Sequence, residues 1–282
     1  MPVSVPVRIG FQNILVATDF SPSSAALLPF ARSLARHYNS TLFLTHVISD
    51  EVLGVDPAMI EQARRNAETR MRDLELNQQL EGVRHKTILE EGQTWDVLKQ
   101  VIAREEIDLI IVGTHGRTGL KKFMLGSVAE DIFRHAPCPV LTIGPHATGT
   151  PDGSAITHVL LATDLKPENN GPAMYACLLA QQHKARLTLL HVAETDSRVP
   201  LPKQLLDLVP KDIDLPFAPD AVIHIGEAAE MILNTALQRH VGLIVLGAHR
   251  PAMLTTHLMD VAYRVVCEAK CPVLTVGAEF HT

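Results

Sequence analysis

Two stretches of this 282-residue chain hold residues whose types and spacing could do chemistry. Thr18 and Asp19 end the apolar run Ile14-Leu-Val-Ala17 and put a hydroxyl and a carboxylate where a buried strand meets solvent. Further along, Gly113-Thr-His-Gly116-Arg-Thr-Gly-Leu-Lys-Lys-Phe-Met-Leu-Gly126-Ser127-Val128 combines glycines, which let a backbone approach a ligand closely, with the expected start of a helix. Unpaired amides at such a start, with the helix dipole behind them, suit phosphate oxygens. Arg117 and Lys121 are nearby cations for neutralising them.

Something must hold these two stretches together. Ile14–Ala17, Leu42–Val47, Val83–Leu89, Leu109–Val112 and Val140–Ile143 read as short buried strands. Between them, Ser21 caps and Pro22 opens a helix with Leu27, Phe30, Ala31, Leu34 and Ala35 on one face, and Asp56-Pro57 opens another carrying Ile60, Ala63, Ala67, Met71 and Leu74. A third helix carries Leu98, Val101 and Ile102, and a fourth begins near Ser127. Alternation of this kind requires a parallel sheet with both faces covered. In such sheets ligands sit beyond the carboxyl ends of the strands, where the winding reverses.

The whole pattern is written twice. Asn13-Ile-Leu-Val-Ala-Thr-Asp19 recurs as His158-Val-Leu-Leu-Ala-Thr-Asp164, and Leu44-Thr-His-Val47 as Leu189-Leu-His-Val192, both displaced by 145 residues. Cys138-Pro-Val-Leu-Thr-Ile-Gly144 recurs as Cys271-Pro-Val-Leu-Thr-Val-Gly277 at an offset of 133, so the second copy is shorter in its middle. There, Asp196 to Pro219 contains Pro200, Pro202, Pro210 and Pro216, which predicts a loop with a short helical piece in place of the long second helix. Duplication of one small domain follows, with domains at 1–146 and 155–282 and a joint rich in Gly, Thr and Pro.

The spacing Gly113, Gly116, Gly126-Ser127 resembles the ATP-binding signature of the universal stress protein family. The opening Ile14-Leu-Val-Ala-Thr-Asp-Phe-Ser21 and the stretch His135-Ala-Pro-Cys-Pro-Val140 are similar to that family too. The resemblance implies an adenine-nucleotide α-hydrolase-like α/β fold: two tandem, doubly wound, parallel five-stranded sheets of order 3-2-1-4-5, paired as a pseudo-dimer. It further implies that Asp19, with Ala17 and Thr18, meets the ribose or adenine side, and that Val47 meets adenine through its backbone. The amides of Gly116, Gly126, Ser127 and Val128 would hold phosphates, with Gly113, Thr114, His115 and Arg117 completing the loop. The implied ligand is ATP, with or without Mg2+.

Simpler roles compete. Ser127 and Glu130 have the spacing of a capping box, Asp19 of an ordinary turn residue, and His46, His115 and His191 of structural hydrogen-bond donors with no catalytic part. In the second copy Gly247 is kept, but Arg250 replaces the second glycine and Asp260-Val261 replaces Gly126-Ser127. A side chain and a carboxylate would then oppose a polyphosphate, so ATP is expected in the first half alone.

Bulk properties exclude several classes. A net charge of −6 argues against an electrostatic nucleic-acid binder, since phosphate neutralisation needs clustered cations. The chain shows neither a leader nor a membrane-sized apolar run, so a cytoplasmic protein is expected. Four cysteines fit a reducing compartment, and Cys267 and Cys271 with His240, His249 and His257 are too loosely spaced to expect metal. No P-loop and no dinucleotide fingerprint occur. The expected role is a stress-response protein that binds ATP and switches conformation or association. The alternatives are a slow ATP-hydrolysing or nucleotide-transfer enzyme and an interaction module with a vestigial site. The apolar final strands Val140–Ile143 and Val273–Val276 further predict pairing of the two domains and a homodimer.

Overall fold

Four- and five-residue apolar runs such as Leu109–Val112 have no polar face to offer water, so they are stable only between two layers of helices. The computed structural model describes residues 9–49, 57–76, 80–114, 124–145, 147, 156–166, 170–195, 202–248 and 261–277. They form two compact units, one on Phe11–Pro145 and the other on Ala155–Thr282, and the described Ile9 and Gly10 group with the second. Ile9 is held there by its carbonyl, which accepts from Gln182 Nε2 at 2.9 Å.

In the first unit the strands are β1 (Asn13–Ala17), β2 (Thr41–Ile48), β3 (Arg84–Glu91), β4 (Leu109–Gly113) and β5 (Val140–Ile143). They are parallel in the order β3-β2-β1-β4-β5. The central strands bury Ile14, Leu15, Ile110 and Ile111 completely, each such side chain contributing about 1.5–3 kcal/mol on leaving water. The helices are α1 (Pro22–Ala25), α2 (Leu28–Tyr38), α3 (Pro57–Leu76), α4 (Thr94–Arg104) and α5 (Ser127–His135).

The helix expected from Ser21 to Ala35 is two helices. Pro29, in the first turn of α2, has no N–H to donate back to α1, so the hydrogen-bond ladder stops and restarts at Leu28. Leu27, Ala31 and Ala35 face the core as expected, while Phe30 and Leu34 are half-buried.

The second unit repeats the plan with β6 (His158–Ala162), β7 (Arg186–Ala193), β8 (Asp220–Ile225), β9 (Leu243–Ala248) and β10 (Val273–Gly277), parallel in the order β8-β7-β6-β9-β10. Its helices are α6 (Asn170–Gln182), α7 (Pro202–Leu206), α8 (Ala228–Gln238) and α9 (Val261–Glu268). The five-residue α7, starting at one of the prolines, is the expected short helical piece where the first half has the twenty-residue α3. Among the described residues, no helix is long and apolar enough to cross a membrane.

Candidate nucleotide site

The first half switches winding direction between β1 and β4, whose register aligns Ile14 with Leu109 and Val16 with Ile111. Their carboxyl ends are therefore neighbours. On the other side of β1, Ala17 pairs with Thr45 and the Thr18 amide donates to the Thr45 carbonyl at 2.9 Å. Beyond that bond β2 runs on through His46, Val47 and Ile48, paired with β3. Val47 thus stands on the part of β2 that outreaches β1.

The turn after β1 is built by its own side chains. Thr18 Oγ1 accepts from the Phe20 amide at 3.0 Å, and Asp19 Oδ1 accepts from the Ser21 amide at 2.9 Å. Side chains that bond the backbone two residues on fold the chain sharply, here with Phe20 at φ 61°. Ser21 then caps α1 as the sequence predicts, its hydroxyl accepting from the Ser24 amide at 3.1 Å. Thr18 Oγ1 and Ser24 Oγ lie 3.1 Å apart, and the hydroxyls of Thr18, Ser21 and Ser24 are all buried. Asp19 is thereby fixed, half-buried, at the mouth of β1.

The turn has a roof. His46 Nδ1 donates to the Thr18 carbonyl at 2.7 Å, which places the ring proton on that nitrogen. The Phe20 ring lies against the His46 ring with centroids 4.3 Å apart.

After β4, Gly113 pairs with Ile143 and the Thr114 amide donates to the Ile143 carbonyl at 3.3 Å. The buried Thr114 then accepts, through its carbonyl, from the Gly126 amide at 2.9 Å. This bond closes the stem of the glycine loop. His115, Gly116, Arg117 and Lys121 lie outside the described residues. Gly126 is the N-cap of α5, with extended backbone and no side-chain cap bond, and Ser127 is the first helical residue. The capping-box reading of Ser127 and Glu130 is therefore corrected: the serine stands one place too far along to cap, and the Glu130 carboxylate accepts instead from Arg134 Nε at 3.1 Å. The Ser127 and Val128 amides have no acceptor among the described residues, and the helix dipole adds partial positive charge there.

The second half rebuilds the strand-one turn bond for bond. Thr163 N donates to Leu190 O at 3.0 Å, Leu165 N to Thr163 Oγ1 at 3.0 Å, and Lys166 N to Asp164 Oδ1 at 3.1 Å, while His191 Nδ1 donates to Thr163 O at 2.9 Å. One change is chemical. Lys166 occupies the place of Ser21, and its ammonium lies 2.9 Å from Asp164 Oδ2, so this carboxylate carries its own cation. Arg250 and Asp260 lie outside the described residues. Neither Lys166 nor the Phe20–His46 contact stands out in the sequence reading, although both lie within two residues of motifs it identifies.

Other reactive groups have structural duties. His46 and His191 serve turns, and burial pushes the thiols of Cys138, Cys177 and Cys271 up to about 12, which keeps them protonated and poorly nucleophilic at neutral pH. Among the described residues no group of three or more His, Cys, Asp or Glu side chains could hold a metal ion.

The sequence model of the universal stress protein family matches residues 10–144 and again 155–277. The chain belongs to the universal stress protein family. The two matched segments make it a tandem member. A universal stress protein of Methanocaldococcus jannaschii is 26% identical over 139 residues, covering 47% of this chain and 82% of that relative. The crystal structure of a universal stress protein from Archaeoglobus fulgidus has the same fold, with a TM-score of 0.77 at 20% identity, over 96% of this chain and all of that one. A functionally unknown protein of Pseudomonas aeruginosa shares the fold with a TM-score of 0.62 at 19% identity, over 95% of this chain and 92% of that one.

Proposed function

We propose that this universal stress protein binds ATP in its first half and uses nucleotide occupancy to change its conformation or its association. The carrying observation is the pair of amides of Ser127 and Val128 with no acceptor among the described residues, at the start of α5, which Gly126 ties to the end of β4, the neighbour of the strand whose turn fixes Asp19. Polyphosphate oxygens satisfy such amides, and a carboxylate held by a turn suits the ribose hydroxyls. The Gly113, Gly116, Gly126-Ser127 spacing, similar to the family's ATP signature, supports the same ligand. A ligand that binds one arrangement better than another shifts the population without turnover, so a switch needs no catalyst. The protein acts in the cytoplasm as a homodimer, and domains 1–146 and 155–282 divide the work into a binding half and a half without ATP. In the second half Lys166 already neutralises Asp164.

The test is mass spectrometry of the small molecule released when the purified protein is denatured, backed by titration with ATP. An adenine nucleotide is expected. Absence of any released or titratable nucleotide would leave a vestigial site and overturn the proposal.

A further inference from the structure

Phe20 adopts φ 61°, a left-handed conformation that glycine takes freely and bulky side chains resist. Its retention needs stabilising contacts, and two are present. The ring lies tilted against His46, 4.3 Å between centroids, and the Arg70 guanidinium lies over the ring at 6.0 Å. His46 belongs to β2 and Arg70 to α3. Phe20 therefore joins three pieces: the turn that carries Asp19, the strand end that carries Val47, and the helix above them.

The second half supplies an internal comparison. Leu165 occupies the same place at φ 62°, and its backbone and histidine bonds are those of the first half. It brings no aromatic ring, and the five-residue α7 stands in place of α3. The aromatic ring and the long helix thus occur together in the half with the ATP signature and are missing together from the described residues of the other.

α3 is also lightly held. Of its twenty residues Ala67 and Met71 are buried, and its Arg64–Glu91 pair at 2.6 Å is partly exposed. An exposed pair of this kind adds little stability, and elements with few buried contacts open at low free energy. A small change in the turn could therefore register as ordering or release of α3.

We infer that Phe20 is a positioning residue that couples nucleotide binding at the Asp19 turn to α3, through its contacts with His46 and Arg70. This rests on the ATP reading above. ATP held by Asp19 further immobilises the turn that Thr18 and Asp19 already fold, the turn holds the Phe20 ring against His46, and the ring and Arg70 hold the helix.

The test measures ATP affinity and backbone hydrogen exchange across residues 57–76, with and without ATP, in the full chain and in three variants. Phe20→Leu installs the residue that the second half tolerates in this conformation. Phe20→Tyr keeps the ring, and Arg70→Gln removes the cation while leaving the turn intact. In the unaltered chain ATP slows exchange across α3. Phe20→Leu weakens ATP by about two- to tenfold, in line with loss of one aromatic pair, and abolishes the slowing. Phe20→Tyr restores both effects, and Arg70→Gln reduces the slowing in a protein that folds. ATP binding with no change in α3 exchange, or Phe20→Leu behaving as the unaltered chain in both measurements, overturns the coupling while sparing the ATP reading. No ATP binding to the unaltered chain overturns both.

Discussion

Ser127 separates a helix-capping role from a ligand-binding one. It is exposed, its hydroxyl caps nothing, and its amide has no acceptor among the described residues. Proline is favoured at the first helical position, and Gly126, at φ −65° and ψ 155°, already has the extended backbone that a following proline requires. Ser127→Pro should therefore leave thermal stability close to unchanged. It should weaken ATP about tenfold or more, the value of one hydrogen bond to a charged oxygen, measured by equilibrium titration. Equal ATP affinity in the variant would remove this amide from the site. Residue types and spacing made the Thr18-Asp19 turn and the Ser21 cap legible, because each depends on local chemistry. The capping box misled because Ser-x-x-Glu spacing recurs one residue past a true cap, and only the backbone angles at Gly126 distinguish the two. Phe20 and Lys166 were illegible because a ring contact to another strand and an ion pair two residues on leave no periodic mark.

At the scale of elements, hydrophobic periodicity predicted the five strands of the first half, with ends shifted by one or two residues where ladder bonds rather than apolar character decide them. The α1–α2 break escaped it because Pro29 falls on a position that the apolar stripe passes over. One inter-element tie differs usefully between the halves. At the start of β1, Asn13 Nδ2 donates to the Glu105 carbonyl at the end of α4, at 3.0 Å. The matching residue of β6, His158, donates from Nδ1 to the Arg239 carbonyl at 3.1 Å, and its Nε2 lies 2.8 Å from Thr188 Oγ1. Burial lowers the His158 pKa from 6.5, aided by Arg239 and Arg186 and opposed by the Arg239 hydrogen bond and Asp220. Because the folded state holds this imidazole neutral more firmly than the unfolded chain does, its contribution is complete above pH 6.5 and is lost as pH falls from there toward the lowered value. His158→Asn, which installs the first half's residue, should flatten the acid side of a plot of denaturation midpoint against pH. An unchanged slope would assign the acid sensitivity elsewhere.

For the molecule as a whole, duplication is plain in the sequence because turn and strand motifs recur in one register, and both copies fold to the same strand order. What the copies no longer share is chemical. Both hold a carboxylate by a turn, but one half has a serine cap and a long helix over its sheet, whereas the other has Lys166 paired to Asp164 and the short α7. A duplicated scaffold can keep its packing while one copy gives up a ligand, since core and site draw on different residues. The account therefore requires one nucleotide per chain, held through Asp19. Calorimetric titration of the full chain with ATP, repeated on Asp19→Ala, tests this most directly. The predicted result is a stoichiometry of one, with affinity reduced at least about tenfold in the variant. Two equivalent sites per chain, or one site whose affinity is the same with and without the Asp19 carboxylate, would contradict it.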